Sequence, residues 1–168
     1  SFVRESSISS SRLEIGGNGP ATATEAAEEK TAPPQDASIQ VLISEATRLK
    51  SPWVLNLGAR NVRGSLGVDC RSWFKDVGKF VGVDLEPGPG VDLVADASSL
   101  SRVIRPRSFD IVVSISVFEH LRRPWQVALE INKVLRAGGL VFIHSHQTFP
   151  LHDYPGDFFR FSEEAFRE

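Results

Sequence analysis

The sequence predicts a doubly wound α/β fold, in which helices cover both faces of a parallel sheet. From Ser38 onwards, short apolar runs typical of buried strands alternate with segments of helical periodicity. This alternation implies right-handed crossovers between parallel strands and excludes a plain helical bundle. We expect five strands in the spatial order third, second, first, fourth, fifth.

The first strand is predicted within Pro52–Gly58, where three apolar side chains precede the glycine: Val54, Leu55 and Leu57. An amphipathic helix comes before it and ends at Ser51-Pro52, because apolar residues recur there at helical spacing: Ile39, Leu42, Ile43, Ala46 and Leu49. Gly58 falls at the carboxyl end of the strand. In an open α/β sheet the chain turns sharply at this point, and a ligand can approach the backbone of a residue without Cβ.

Four more strands are predicted at 80–84, 91–96, 109–114 and 140–144. The clearest helix of the chain begins at Pro124, a residue favoured at the first helical position. Its apolar face is expected to comprise Val127, Ala128, Ile131, Val134 and Leu135, and Gly138-Gly139 is expected to end it in the left-handed conformation.

Composition places limits on function. A chain of 168 residues with 41% hydrophobic residues and a net charge of -2 is an ordinary single-domain protein with a real core. No basic run indicates nucleic-acid binding, and no apolar run has the length of a membrane span. The single cysteine, Cys70, fits a reducing compartment, so we expect a cytoplasmic location. The oligomeric state is not readable.

Residues 1–37 differ in kind from the remainder of the chain. They are rich in small and polar residues, with few large apolar ones, which predicts a disordered linker or N-terminal extension. Two arginines among serines hint at a transit peptide, but two nearby glutamates argue against it: Arg4, Arg12, Glu5 and Glu14. The folded domain is expected to span 38–168.

Polar residues and a glycine fall at the carboxyl ends of successive strands: Gly58, Asp84, Asp96 and Ser114. In a parallel sheet these ends form one edge, where ligands bind. Asp84 is suited to accept hydrogen bonds from both hydroxyls of a ribose, and Asp96 from the exocyclic amine of an adenine. The alternative for each acid is a helix cap or a turn.

The strands and the residues after them resemble class I S-adenosylmethionine-dependent methyltransferases, of the methyltransferase type 11 kind. The motifs are Val54-Leu55-Asn56-Leu57-Gly58, Phe80-Val81-Gly82-Val83-Asp84, Val94-Ala95-Asp96-Ala97, Phe109 through His120, and Val134 through Leu140. The resemblance implies a Rossmann-like fold with S-adenosyl-L-methionine as cofactor. It also implies that Gly58 and its loop hold the methionine part, Asp84 the ribose, Leu85 the adenine face, and Asp96 with Ala97 the adenine edge.

Two departures from the family pattern concern the cofactor site. Asn56 stands where the family usually has aspartate, and Gly58-Ala59-Arg60 stands where it has Gly-x-Gly. We interpret this as a variant loop, so Asn56 and Arg60 remain predicted cofactor residues. The family also has two further strands after the fifth. We therefore expect the domain to be C-terminally incomplete, with its fifth strand as an apolar edge.

Catalysis by such a protein requires alignment of the methyl group and, for an oxygen or nitrogen acceptor, removal of a proton. Histidine suits this task near neutral pH, and we predict His152 first and His120 second. Other candidates are Glu119, His144, His146, Asp153, Asp157 and Arg160. Alternatively, Glu119-His120 only shapes a turn. The aromatic segment 149–161 is predicted to be a lid or acceptor wall, or else a loop anchored on the core by its rings. No metal site is predicted.

The function predicted is methyl transfer to a small-molecule, lipid or glycan-type acceptor. Two alternatives stay open. A nicotinamide-dependent oxidoreductase also has an acid after its second strand, but the chain lacks the Gly-x-Gly-x-x-Gly fingerprint that a pyrophosphate requires. A non-catalytic binding module that keeps the fold is the other alternative, because fold alone does not decide function.

Overall fold

The computed structural model of the chain describes residues 36–61, 70–74 and 76–167. The predicted N-terminal extension therefore lies outside the described residues, except for Asp36 and Ala37. The second half of the loop after the first strand, with Gly64, also lies outside them. Asp36 caps the first described helix, because its side chain accepts hydrogen bonds from the backbone N–H groups of Ser38 and Ile39.

Two α-helices and five strands form the framework of the described residues. In chain order they are α1 (Ala37–Thr47), β1 (Trp53–Leu57), β2 (Lys79–Asp84), β3 (Leu93–Val94), β4 (Phe109–Ile115), α2 (Pro124–Val134) and β5 (Leu135–His144). Short 3₁₀ turns lie at Cys70–Trp73, Ala97–Arg102, Phe118–His120 and Glu164–Phe166. Among the described residues, we find no helix with the length and hydropathy that crossing a bilayer requires.

The five strands form one parallel sheet in the order β3-β2-β1-β4-β5, which confirms the predicted order. Leu55 in the central strand lies opposite Val81 on one side and Val112 on the other. The chain moves outwards from β1 in both directions, so the crevice between β1 and β4 is the switch point at which ligands bind in such sheets.

Alternate residues of β1 supply two hydrophobic cores, one on each face of the sheet. Leu55 and Leu57 pack with α2 residues such as Val127 in the first core, and Val54 packs with α1 residues such as Leu42 in the second. The central strand is thus buried on both faces, as its uninterrupted apolar sequence indicates. Packing in both cores fixes the position of the carboxyl end of β1.

The third strand is shorter than predicted. Only Leu93 and Val94 of 91–96 pair with β2. Asp96 lies beyond the strand and caps the next 3₁₀ turn, so the chain leaves the sheet two residues earlier than its apolar pattern indicates. Near the end of the described residues, Glu164–Phe166 forms a single 3₁₀ turn.

The predicted end of the second helix was also wrong. The helix stops at Val134, and Leu135 already pairs with Phe109 of β4. The carbonyls that end the helix accept hydrogen bonds from the loop before β4, from Arg107 N–H to Lys133 at 3.0 Å and from Ser108 N–H to Val134 at 2.8 Å. Because these bonds satisfy the helix end, no glycine is needed there. Gly138-Gly139 lies instead within a register irregularity of β5.

Candidate active site

A cleft of about 830 Å³ lies at the carboxyl edge of the sheet. The loops after β1, β2, β3 and β4 line one part of it, and the segment after β5 lines the other. Its volume is in the range of cofactor and small-molecule sites, which is about 300 to 1,000 Å³. The described chain therefore has room at this edge for a ligand of nucleoside size together with a second molecule.

Gly58 forms the turn at the end of β1. Its φ is +74°, and a Cβ added there would lie 2.2 Å from Cγ2 of Val117, in the loop after β4. Its N–H donates to the carbonyl of Val83 in β2 at 2.9 Å. The two loops at the switch point thus touch through this one glycine, and no side chain fits between them.

Asp84 ends β2 with its carboxylate held in place. One oxygen accepts from the backbone N–H of Arg60 at 3.0 Å, and the other from that of Glu86 at 3.2 Å. Each carboxylate oxygen has a second lone pair, so both oxygens can still accept from the adjacent hydroxyls of a ribose. The carboxylate lies half-buried in the lining of the cleft, where sequence reasoning expects the ribose acid.

The variant loop after Gly58 packs on the turn that follows β2. The side chain of Arg60 forms an ion pair with Glu86, and Asn61 N–H donates to the carbonyl of Pro89 at 2.8 Å. The close approach is provided by Gly90, at φ +88°, where an added Cβ would lie 2.5 Å from the carbonyl oxygen of Ala59. Gly90, in the loop after β2, thus permits the close contact between the two loops. The sequence pattern indicates a turn at 86–90 but not the ion pair that Glu86 makes with Arg60.

The residues predicted for the adenine line the same part of the cleft. The side chain of Leu85 is 69% exposed there, an apolar surface on which a base can lie. Asp96 and Ala97 also line the cleft. Asp96 Oδ1 accepts from Ser98 N–H at 2.8 Å, so the capping role considered as the alternative is present. Oδ2 makes no hydrogen bond to a described residue and stays available to a ligand.

Asn56 and Ser114 differ in access to the cleft. Asn56 is in the lining, whereas Ser114 is fully buried and is not. The hydroxyl of Ser114 makes no hydrogen bond within the described part of the chain. Ser116 and Val117, which lie just past the end of β4, reach the cleft in its place. The structure therefore brings the three residues after Ser114 to the cleft, and not Ser114 itself.

Three histidines line the part of the cleft away from β2. The rings of His120 and His152 meet edge to face with centroids 4.8 Å apart, and His146 stacks on Phe149 at 4.3 Å. Both residues predicted for catalysis thus come together, although they are distant in sequence. His146 lies with them in the lining of the cleft. In the sequence, only its position shortly after the fifth strand indicated a place near the site. His144 is exposed and does not line the cleft.

Glu119 connects the loop after β4 to the segment after β5. Its side chain is fully buried. Oε2 accepts from Ser145 Oγ at 2.6 Å, and Oε1 lies 3.4 Å from Nε2 of His146. Its carbonyl accepts from the N–H groups of Phe158 and Phe159 at 2.8 and 3.1 Å. Glu119 therefore does more than shape a turn, because it anchors the aromatic segment to the sheet.

Asp157 and Arg160 brace that segment from within. Two contacts, of 2.5 and 2.7 Å, join the guanidinium to the carboxylate. The hydrogen bonds from Arg160 and from the backbone N–H of His152 hold the pKa of Asp157 well below its usual range, and the pKa of Arg160 is raised in turn. Arg160 also donates to the carbonyls of Phe149 and Pro150. The segment is thus fixed by polar bonds as well as by its rings.

The sheet order, the glycine turn and the acid after β2 can be compared with those of known proteins. Residues 64–143 match the family model described as a methyltransferase domain. The chain therefore has the Rossmann-like fold of class I S-adenosylmethionine-dependent methyltransferases, and its residues 64–143 are similar to a methyltransferase domain.

Relatives of known sequence carry the same description. An uncharacterized methyltransferase of Mycobacterium avium (strain 104) is 36% identical over 42% of this chain and 32% of the relative. One of Mycobacterium bovis (strain BCG / Pasteur 1173P2) is 33% identical over the same shares. The match thus spans about a third of the length of these relatives.

Solved structures share the fold at low identity. A SAM-dependent methyltransferase from Archaeoglobus fulgidus has a TM-score of 0.53 at 18% identity, over 87% of this chain and 71% of that one. The CurJ carbon methyltransferase has a TM-score of 0.59 at 14% identity, over 77% and 44%. The [4+2]-cyclase SpnF has a TM-score of 0.53 at 19% identity, over 90% and 58%. The presence of a cyclase among them illustrates that the fold does not determine the reaction.

Proposed function

We propose that the cleft binds S-adenosyl-L-methionine and that the protein transfers its methyl group to a small-molecule acceptor, a class that includes lipid and glycan precursors. The observation that carries the proposal is the fixed carboxylate of Asp84 beside the turn at Gly58, within one cleft. This arrangement suits a nucleoside whose ribose is held by the acid and whose remaining part follows the glycine turn.

The residues present fit this cofactor. Gly58 leaves backbone space that a Cβ would fill, Asp84 retains a free lone pair on each oxygen, and Leu85 presents an apolar surface for a base. Asp96 with Ala97 would border the adenine edge, and Asn56 with Arg60 the methionine side. Coclaurine N-methyltransferase, which shares the fold with a TM-score of 0.53 at 20% identity over 78% of this chain and 45% of that one, is described as bound to SAH.

The acceptor side offers what the remaining chemistry requires. The sulfonium of the cofactor supplies an activated methyl group, so the protein has to align the acceptor, exclude water and assist the loss of a proton. Phe149 and the three histidines that line this side provide an apolar wall with polar nitrogen atoms. We assign His152 and His120 to proton removal from an oxygen or nitrogen acceptor, and the segment 149–161 to the acceptor wall.

The test is a calorimetric titration of the chain with S-adenosyl-L-methionine and, separately, with NAD. Replacing Asp84 with alanine is expected to weaken cofactor binding by about 1.5 to 3 kcal/mol, the range for hydrogen bonds to a charged group. Glu45→Ala, which removes an exposed carboxylate of α1, is the matched control and should leave the affinity unchanged. Equal affinity in the Asp84 variant and the parent chain, or binding of NAD alone, would refute the assignment.

The cytoplasmic location is part of the same proposal. It is supported by the single, buried cysteine, which takes no part in a disulfide. Fractionation of cells that produce the protein tests it.

A further inference from the structure

Glu119, His120 and His152 bring three potential metal ligands together beside the acceptor part of the cleft. One donor atom from each lies within 4.8 Å of the other two. Glu119 is fully buried, and the two histidines are half-buried in the lining. The question is whether these atoms are satisfied by the protein or require a ligand.

The tautomers of both histidines follow from their neighbours. Nδ1 of His120 lies 2.9 Å from the carbonyl oxygen of Gly156. Nδ1 of His152 lies 3.2 Å from Oδ2 of Asp157 and 3.3 Å from the carbonyl oxygen of Pro150. Carbonyls and ionised carboxylates only accept hydrogen bonds, so Nδ1 must carry the hydrogen in each ring. Nε2 of each ring then has a lone pair, and it makes no hydrogen bond to a described residue.

The carboxylate of Glu119 also has an acceptor atom without a hydrogen-bond donor among the described residues. Oε2 is satisfied by Ser145, but Oε1 is buried without a hydrogen-bond partner among the described residues. Its nearest polar neighbour is Nε2 of His146 at 3.4 Å, which is too long for a good hydrogen bond. Each of the three clustered residues thus has one acceptor atom that no described residue satisfies: Nε2 of each ring and Oε1 of the carboxylate. A cation satisfies all three at once.

We propose that Glu119, His120 and His152 form a binding site for a divalent transition-metal ion, with zinc the first candidate, at the acceptor side of the cleft. Two imidazoles and a carboxylate are a ligand set that such ions prefer. Each proposed ligand also makes a hydrogen bond or close polar contact to a second group of the protein, at Gly156, Asp157 or Ser145. Such outer contacts typically orient metal ligands. The carboxylate of Asp157 in that outer layer is balanced by Arg160.

Binding requires a small movement. Ligands about 2.1 Å from a tetrahedral zinc ion lie roughly 3.4 Å from one another, so the widest separation has to close by roughly 1.4 Å. Rotation of the two half-buried rings provides this. The site faces the cleft, and an ion there would have a free position for an acceptor oxygen and would lower the pKa of that acceptor. With the ion bound, Nε2 of His120 and of His152 holds the metal, so the ion replaces the two histidines as the group that promotes loss of the proton, and the proton passes to solvent. That use of the ion rests on the proposed function, whereas binding of the ion does not.

The test measures metal binding alone, in the absence of cofactor. The untagged 168-residue chain is stripped with a chelator and titrated with Zn²⁺ by calorimetry, and with Co²⁺ by visible absorption. One ion per chain is expected. His120→Asn and His152→Asn keep an N–H near the position of Nδ1 but remove Nε2, so each should weaken binding at least about tenfold. His144→Asn is the matched control and should bind as the parent chain does.

A second measurement needs no variant. Paramagnetic Mn²⁺ added to the isotope-labelled chain should broaden the amide signals of Glu119, His120 and His152 before those of α1. Absence of saturable 1:1 binding, broadening elsewhere first, or unchanged affinity in both asparagine variants would overturn the proposal. A chain that binds the ion but not S-adenosyl-L-methionine would leave the metal site standing and refute the proposed function instead.

Discussion

At the scale of single residues, Gly58 has a conformation and an environment that few side chains tolerate. Its φ of +74° favours glycine, and Val117 occupies the space of a Cβ. Gly138 in β5 has almost the same φ, +77°, but an added Cβ there would meet no atom within 4 Å. The two glycines therefore separate the effect of backbone conformation from the effect of steric contact.

Gly58→Ala is expected to lower the stability of the chain more than Gly138→Ala does. The alanine at 138 carries only the left-handed backbone cost, about 1 to 2 kcal/mol. The alanine at 58 adds an overlap with Val117 that costs roughly 1 to 3 kcal/mol more. Denaturant unfolding of both variants measures the difference, and titration with S-adenosyl-L-methionine should show lost affinity only for the variant at 58. Equal destabilisation would mean that the Val117 contact relaxes freely.

The site residues that could be predicted are those whose position follows from strand ends. Gly58 and Asp84 directly follow apolar runs, so their place at one edge of the sheet could be read from the pattern. Ser114 could not be excluded, because a pattern does not tell whether the last residue of a strand faces the core or the cleft. The role of Glu119 could not be predicted for a similar reason. Its side chain is bonded to Ser145, which lies 26 residues later in the sequence.

At the scale of elements, α2 positions the turn that carries the predicted adenine residues. Glu130 on this helix is buried. Its oxygens accept from Ser101 N–H at 2.7 Å and from Lys133 Nζ at 2.6 Å. Burial opposes ionisation, but the hydrogen bonds from Lys133 and Ser101 outweigh it and lower the pKa of Glu130 to about 2. The ionised carboxylate thus joins α2 to the 3₁₀ turn at Ala97–Arg102.

Glu130→Ala is expected to lower the free energy of unfolding at neutral pH by about 1.5 to 3 kcal/mol. Because the pKa in the folded chain lies below the ordinary value of 4.5, the contribution of Glu130 is complete above pH 4.5 and is lost as the pH falls towards 2. The difference between parent and variant should therefore shrink on acidification. Glu45→Ala removes an exposed pair with Arg48 and should cost at most about 1 kcal/mol. A difference independent of pH would contradict the role given to the carboxylate.

Element types were predictable here and element ends less so. Pro124 starts α2 as its preference for a first helical position predicts. The end of α2 was not readable, because the bonds that satisfy it come from Arg107 and Ser108, which precede β4. The limits of β3 depend likewise on how far β2 can pair with it. Local patterns report local propensity, whereas these boundaries are decided by partners elsewhere in the chain.

At the scale of the whole molecule, the order of the strands in the sheet determines where the cleft lies. Strand and helix alternate, so parallel pairing brings the loops after β1, β2 and β4 to one edge, and this much could be predicted. The same order places β3 and β5 outermost among the described strands. β3 is only two residues long, but β5 spans ten and has an exposed apolar residue, Val141, at 44% exposure.

A long apolar edge strand presents unpaired N–H and C=O groups that can pair with a second copy. We therefore expect the 168-residue chain to self-associate as its concentration rises, which light scattering coupled to size-exclusion chromatography measures. Val141→Lys places a charge on this edge and should reduce association. Val103→Lys changes an even more exposed valine outside the sheet and should not reduce association. If the parent chain stays monodisperse at high concentration, or if both lysine variants behave alike, β5 is not the surface through which the copies associate.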